Sequence, residues 1–281
     1  MGLVQCPPGR IESGAALFDG VDLLSCPPKA LRGIRGNRIS MIFQDPMTAL
    51  NPYLTIGVQL TESLLTHQTI SRREARKKAI QSIMEVGLQD AENRMTHYPH
   101  QLSGGMRQRV MIAMALITEP GMLIADEPTT ALDVTIQAQI LDLIGELQNR
   151  RSTAVVFITH DLGVIAGISD RVLVMYAGRI VESGSTRAVY GTPGHPYTRA
   201  LLDSTPSAHG LNKELYVIPG QPPDNVEPVT GCAFAPRCGY VQETCRQTDP
   251  RIRPIAPGHL SACLRVQDGS LRLDTKKQDL Q

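Results

Sequence analysis

The chain has 281 residues, enough for one large domain or two modest ones, and 42% of them are hydrophobic, an ordinary globular content. Lys and Arg number 28 against 27 Asp and Glu, a net charge of +1, which argues against a dedicated nucleic-acid or polyanion binder. The longest apolar run, 110–117, is about half of the ~20 residues that a membrane-spanning helix needs, and six cysteines are too few for a disulfide scaffold. The opening MGLVQCPPGR has no signal-peptide design and matches a myristoylation start only as far as Gly2. The expected class is a soluble intracellular α/β protein.

Residues 15–18 form a short strand ending at the turn signal Asp19-Gly20, and 39–43 is an apolar run of buried-strand type. From 55 to about 117 the pattern is helical. Ser71 followed by Glu74 has capping-box spacing, and Gly87 is a plausible stop. Arg72, Arg73, Arg76, Lys77 and Lys78 crowd this helix; they read as a solvated basic face, with membrane contact as the alternative. Strand and helix then alternate. Residues 122–125 make a buried strand, Asp133 caps a helix with Ile140, Ile144 and Leu147 at helical spacing, and 155–158 is a second buried strand. Residues 172–175 and 179–181 flank Ala177-Gly178 as a hairpin. This order predicts a parallel sheet with crossover helices. After Leu202 Pro and Gly become frequent and four of the six cysteines occur, so a domain boundary is expected near 205.

Two segments carry chemistry. Leu123-Ile124-Ala125-Asp126-Glu127 is an apolar strand ending in two carboxylates, at the edge of an open α/β sheet where ligands sit. Asp126 suits Mg²⁺ held through water and Glu127 suits polarising an attacking water; an ordinary acidic turn is the other reading. In Leu102-Ser103-Gly104-Gly105-Met106-Arg107-Gln108-Arg109 a serine and two glycines open a helix. Exposed N–H groups and the positive helix end then face one point, an anion site; in isolation a plain N-cap with flexible glycines is the better reading.

Three further elements stand in order with these: Gln44 after the strand ending at Phe43, Ala131-Leu132-Asp133 after the acidic pair, and His160 after Ile158-Thr159. The set resembles the nucleotide-binding subunits of ABC transporters over roughly residues 9–265. QDPMTALNP (44–52), Met106 and HPYTRALL (195–202) are similar to the peptide and nickel importer branch. The resemblance implies a P-loop NTPase-like ABC nucleotide-binding domain over 1–205, with a truncated parallel sheet and a helical subdomain at about 54–117, plus a small cysteine-containing extension over 206–281. It further implies that Gln44 senses the metal and γ-phosphate, that Ser103, Gly104 and Gly105 contact the γ-phosphate held by an opposite subunit, and that Asp126 serves Mg²⁺. Glu127 would serve the hydrolytic water, Asp133 would signal across the dimer and His160 would contact the γ-phosphate.

A phosphate-cradling loop needs G-x-x-x-x-G-K-[ST], and the 281 residues contain no Gly-Lys pair. In the family that loop lies upstream of the region matching Ile11-Glu12-Ser13-Gly14, so the sequence is expected to begin inside the family's first helix. The loss of its strand would leave an exposed sheet edge and a poorly stable chain. The chain alone is expected to be inactive.

Cys232, Cys238, Cys245 and Cys263 have the spacing C-x5-C-x6-C-x17-C, which reads as one metal or cluster site or as free thiols. The resemblance of Gly231–Cys238 to the peptide-importer tail favours a [4Fe–4S] cluster over zinc. The function expected is therefore the ATP- and Mg²⁺-using, energy-coupling subunit of a peptide or nickel ABC importer, peripheral on the cytoplasmic face of a bacterial inner membrane. Its partners would be a second ATPase subunit, two transmembrane permease subunits and, indirectly, a periplasmic solute-binding protein, with no nucleic acid. The alternatives are a non-hydrolysing remnant that lends only its LSGG segment to a partner, and a non-transport ABC ATPase.

Overall fold

The computed structural model describes residues 1–45, 49–129, 133–205, 216–223 and 230–273. The chain divides into two compact units, Met1–Thr159 and His160–Gln281.

In the first unit, β1 (Leu17–Phe18) and β2 (Val21–Asp22) form a hairpin. Its turn residues Asp19 and Gly20 both have positive φ, 47° and 79°, the twist that a two-residue hairpin turn requires. Helix α1 (Pro28–Ile34) leads to β3 (Ile39–Ile42). The helical stretch follows as α2 (Ile56–His67), α3 (Arg72–Glu85), α4 (Ala91–Arg94) and α5 (Gly104–Leu116). The capping box at Ser71 forms as its spacing predicts: the Ser71 hydroxyl accepts from Glu74 N–H, and the Glu74 carboxylate accepts from Ser71 N–H. Gly87, at φ 75°, takes the left-handed position just beyond α3.

Strand β4 (Met122–Asp126), helix α6 (Val134–Arg151) and strand β5 (Ala154–Ile158) complete the unit. The three strands form a parallel sheet in the order β3-β4-β5, with Ile42 opposite Ala125 and Asp126 opposite Ile158. The predicted apolar positions Ile140, Ile144 and Leu147 of α6 are buried in one core with Ile42, Leu123, Val110 and Ile112. Among the described residues β5 pairs on one side only, and Val156 and Ile158 are 41% and 47% exposed.

In the second unit α7 (Leu162–Ile168) precedes β6 (Arg171–Tyr176) and β7 (Arg179–Ser185). These pair as the expected hairpin around Ala177-Gly178, both at positive φ. Helices α8 (Thr186–Gly191) and α9 (Pro196–Asp203) follow, then α10 (Glu243–Gln247), β8 (Arg253–Ala256), β9 (His259–Ser261) and α11 (Leu264–Gln267). The antiparallel sheet runs β6-β7-β9-β8. Strand pairing therefore crosses residue 205, where the sequence texture changes.

The HPY of HPYTRALL shows why this unit folds as it does. The His195 ring caps α9 by accepting from Tyr197 N–H, Pro196 occupies the first helical position, and Tyr197 packs on Tyr176 and Phe234. A second buried link joins β7 to β9: Glu182 accepts from Gly194 N–H and lies 2.7 Å from His259 Nε2. Burial holds His195 down at about 3 from an ordinary 6.5. Its folded value lies below its unfolded one, so its contribution is present above pH 6.5 and is lost as pH falls towards 3. Unfolding midpoints measured across this window should fall with pH, and His195→Asn, which keeps a neutral cap, should flatten that dependence.

Candidate functional site

The parallel register builds the first half of the site. Ile42 faces Ala125, so two residues further along each chain Gln44 comes abreast of Glu127. Gln44 Nε2 donates to Glu127 Oε2 at 2.8 Å across 83 residues of sequence. Glu127 is further fixed by its N–H, which donates to Ile158 O at 2.8 Å, and by a left-handed backbone, φ 45°. That conformation costs roughly 1–3 kcal/mol in a non-glycine residue and is characteristic of functional positions. Asp126, the last residue of β4, is half-buried.

The second half is a pair of helix starts. The Ser103 hydroxyl caps α5 by accepting from Met106 N–H, and the Asp133 carboxylate caps α6 by accepting from Ile136 N–H at 2.9 Å. A methyl group on Gly105 would meet Ile136 Cγ2 at 3.2 Å, so this glycine is where α5 and α6 pack closely. A methyl group on Gly104 would meet nothing within 4 Å. The two glycines differ: one serves packing and the other leaves open space above a helix N-terminus, where N–H groups and the helix dipole favour an anion.

Gln108, which motif reading passed over, joins the halves. It is buried, and its Nε2 donates to Pro128 O at 2.5 Å, tying α5 to the turn after Glu127. Gln59 does similar work on α2, donating to Asn51 O and Leu54 O and accepting from Asn51 N–H. The available signal was an amide on the otherwise apolar face of a helix. The arginines of the segment serve structure: Arg107 donates to Pro99 O, and Arg109 to Val86 O and Gln139 Oε1. His160 is exposed at the start of the second unit, beside Asp161, which caps α7. Pro46, Met47 and Thr48 of the Gln44 segment, and Ala131 and Leu132, lie outside the described residues.

Comparison with known proteins gives the family. The ABC transporter family profile matches residues 2–130, and the profile described as oligopeptide/dipeptide transporter, C-terminal region, matches 181–245. A probable peptide ABC transporter ATP-binding protein of Sinorhizobium fredii is 53% identical over 92% of this chain and 78% of its own length. The oligopeptide transport ATP-binding protein OppD of Salmonella typhimurium is 50% identical over 92% of this chain and 76% of its own. The dipeptide transport ATP-binding protein DppD of Bacillus subtilis is 52% identical over 94% and 78%. The chain belongs to the ATP-binding subunits of peptide-type ABC transporters. The fold is that of an ABC nucleotide-binding domain: the dimeric ATP-binding cassette MJ0796, in a post-hydrolysis state bound to ADP and Pi, superposes with a TM-score of 0.57 at 30% identity, over 63% of this chain and 75% of that one.

For an ABC subunit the implied groups are ATP and Mg²⁺. The donor set fits the cation, since Asp126, Glu127 and Gln44 present hard oxygens at the end of the parallel sheet. The open space at Gly104 fits a phosphate.

The four tail cysteines are gathered but not set as ligands. All four line one cavity of about 20 Å³, room for about one water. Among the described residues no three His, Cys, Asp or Glu stand in metal-holding geometry. Burial pushes the Cys232 and Cys238 thiols up and Cys263 up to about 11, so binding a metal here would release protons.

The two glycines that open α5 should separate in mutants. Gly104→Ala should leave stability unchanged or raise it by up to ~1 kcal/mol, yet lower ATPase of the assembled transporter roughly tenfold or more by misplacing the anion. Gly105→Ala should lower stability through its contact with Ile136. Denaturant unfolding and ATPase assays of both variants test this.

Proposed function

We propose that this chain is the energy-coupling ATPase subunit of an ABC importer for peptides or related solutes, peripheral on the cytoplasmic face of a bacterial inner membrane. The nucleotide-binding role is assigned to residues 1–205, with a helical subdomain at about 54–117, and 206–281 is the importer-type tail. The observation that carries the reading is the Gln44–Glu127 hydrogen bond at the end of the parallel sheet. It holds a carboxylate in place to accept a proton from an attacking water, while its amide partner reports on the same site. Asp126 would hold Mg²⁺. Ser103 and Gly104 would face the γ-phosphate on a second ATPase subunit, with Asp133 beside them for communication across the dimer and His160 as a further γ-phosphate contact. Bound Mg²⁺–ATP supplies the phosphoryl group and the cationic charge that eases its transfer. Two permease subunits and a periplasmic binding protein complete the assembly.

A second reading rests on a specific observation: the 281 residues contain no Gly-Lys pair and hence no phosphate-cradling loop. On that reading the chain lends only Ser103, Gly104 and Gly105 to a partner's nucleotide, and on both readings these 281 residues alone turn over no ATP. ATPase assays of the complex co-purified with its partner subunits separate them. Ser103→Arg should abolish turnover on either reading, because a cation opposes the positive helix end and blocks the phosphate. Glu127→Gln should cost about 10²- to 10⁴-fold if this chain's base acts, and almost nothing if it lends only its helix. Retained activity in both variants would overturn both readings.

For the tail we propose a [4Fe–4S] centre on Cys232, Cys238, Cys245 and Cys263, with Zn²⁺ as the alternative. Its support is the common cavity and the absence of disulfides among these four free thiols; ligation would require them to close up and ionise. Anaerobically purified protein should contain iron and sulfide, lost in Cys238→Ser. Stoichiometric zinc would select the alternative, and no metal would reject the site.

A further inference from the structure

The structure assigns an interaction surface to the start of helix α3: we propose that Arg72, Arg73, Arg76 and Lys77 bind the anionic headgroups of a lipid bilayer. All four are exposed, on a 14-residue helix whose other side buries Ala75, Ala79, Ser82 and Ile83. Arg72 and Arg76 stand one turn apart, as do Arg73 and Lys77, so each pair sets like charges side by side, which disfavours the helix. The cluster also fills the first two turns, where the helix dipole is positive and cations are least welcome. None of the four makes an ion pair among the described residues. The sole acid in the segment, Glu74, is taken up by the capping box with Ser71. Lys78 at the edge of the patch donates to Gln68.

A concentrated positive face on a chain of net charge +1 is thus maintained against local helix energetics. Its charge complement is an extended negative surface, and a bilayer rich in anionic lipid supplies one at the depth of an exposed helix. The proposal rests on the membrane-side reading of function above, and adds that the chain touches the lipid itself and not only the permease.

The test is co-sedimentation of the full chain with vesicles that contain no permease, so its outcome is separate from that of the ATPase comparison. Vesicles of equal parts phosphatidylglycerol and phosphatidylcholine should bind the chain, phosphatidylcholine alone should not, and binding should fade as salt is raised. Each cation contributes about fivefold to partitioning. Arg73→Gln/Lys77→Gln and Arg72→Gln/Arg76→Gln should therefore each weaken binding roughly 25-fold, and the fourfold variant on the order of several hundredfold. Circular dichroism should be unchanged; if the fourfold variant loses helicity, the two double variants decide. Equal binding to both vesicle types, no binding to the anionic ones, or full binding by the double variants would overturn the proposal. A preference for duplex DNA over the anionic vesicles at matched salt would overturn it in favour of a nucleic-acid partner.

Discussion

The parallel pairing of β3, β4 and β5 sets the position of every residue in the first half of the site. Parallel strands point the same way, so their C-terminal ends align and the side chains that follow them converge on one edge. With Ile42 opposite Ala125 and Asp126 opposite Ile158, Gln44 and the acidic pair have no other place to go. A slip of one residue between β3 and β4 would put Ile42 and Leu123 on opposite faces, turning one of them away from the core they share, and would separate Gln44 from Glu127. The buried apolar side chains enforce the register, and the register holds the site.

Helix starts supply the other half by the same economy of parts. Ser103 and Asp133 spend their oxygens on the amides of their own helices, three residues ahead. Gly105 lets the two helices pack closely, and Gly104 keeps the space above open. Gln108 then couples this assembly to the acidic turn through Pro128. In a low-dielectric interior that single amide is costly to leave unpaired, which makes it a positioning device as well as a structural one.

The tail is organised differently. Its sheet is antiparallel, and its core is an aromatic cluster of Tyr176, Tyr197 and Phe234, reinforced by the buried Glu182–His259 contact. Beside this cluster the four thiols share a small apolar cavity, and burial pushes those of Cys232, Cys238 and Cys263 up. Any ion entering there has to displace protons as well as find ligands.

Much of this was written in the sequence. Period-two and helical patterns, the Asp19-Gly20 and Ala177-Gly178 turns, the Ser71–Glu74 box and the Asp133 cap depend on residues a few positions apart, and each forms as its spacing requires. The order of motifs was enough to reach the family. What the sequence could not carry were relations between distant residues: the Gln44–Glu127 bond, the left-handed backbone of Glu127, the separate duties of Gly104 and Gly105, the anchoring by Gln108 and Gln59, and the sheet that ties β7 to β9 across the change in texture at 205. Nor could it show that four thiols spread over 32 residues line one cavity. Local energetics act within a turn or a strand and leave a pattern there. Register, close approach and burial arise only when elements packed from far apart in the chain decide which groups meet and which are kept from water.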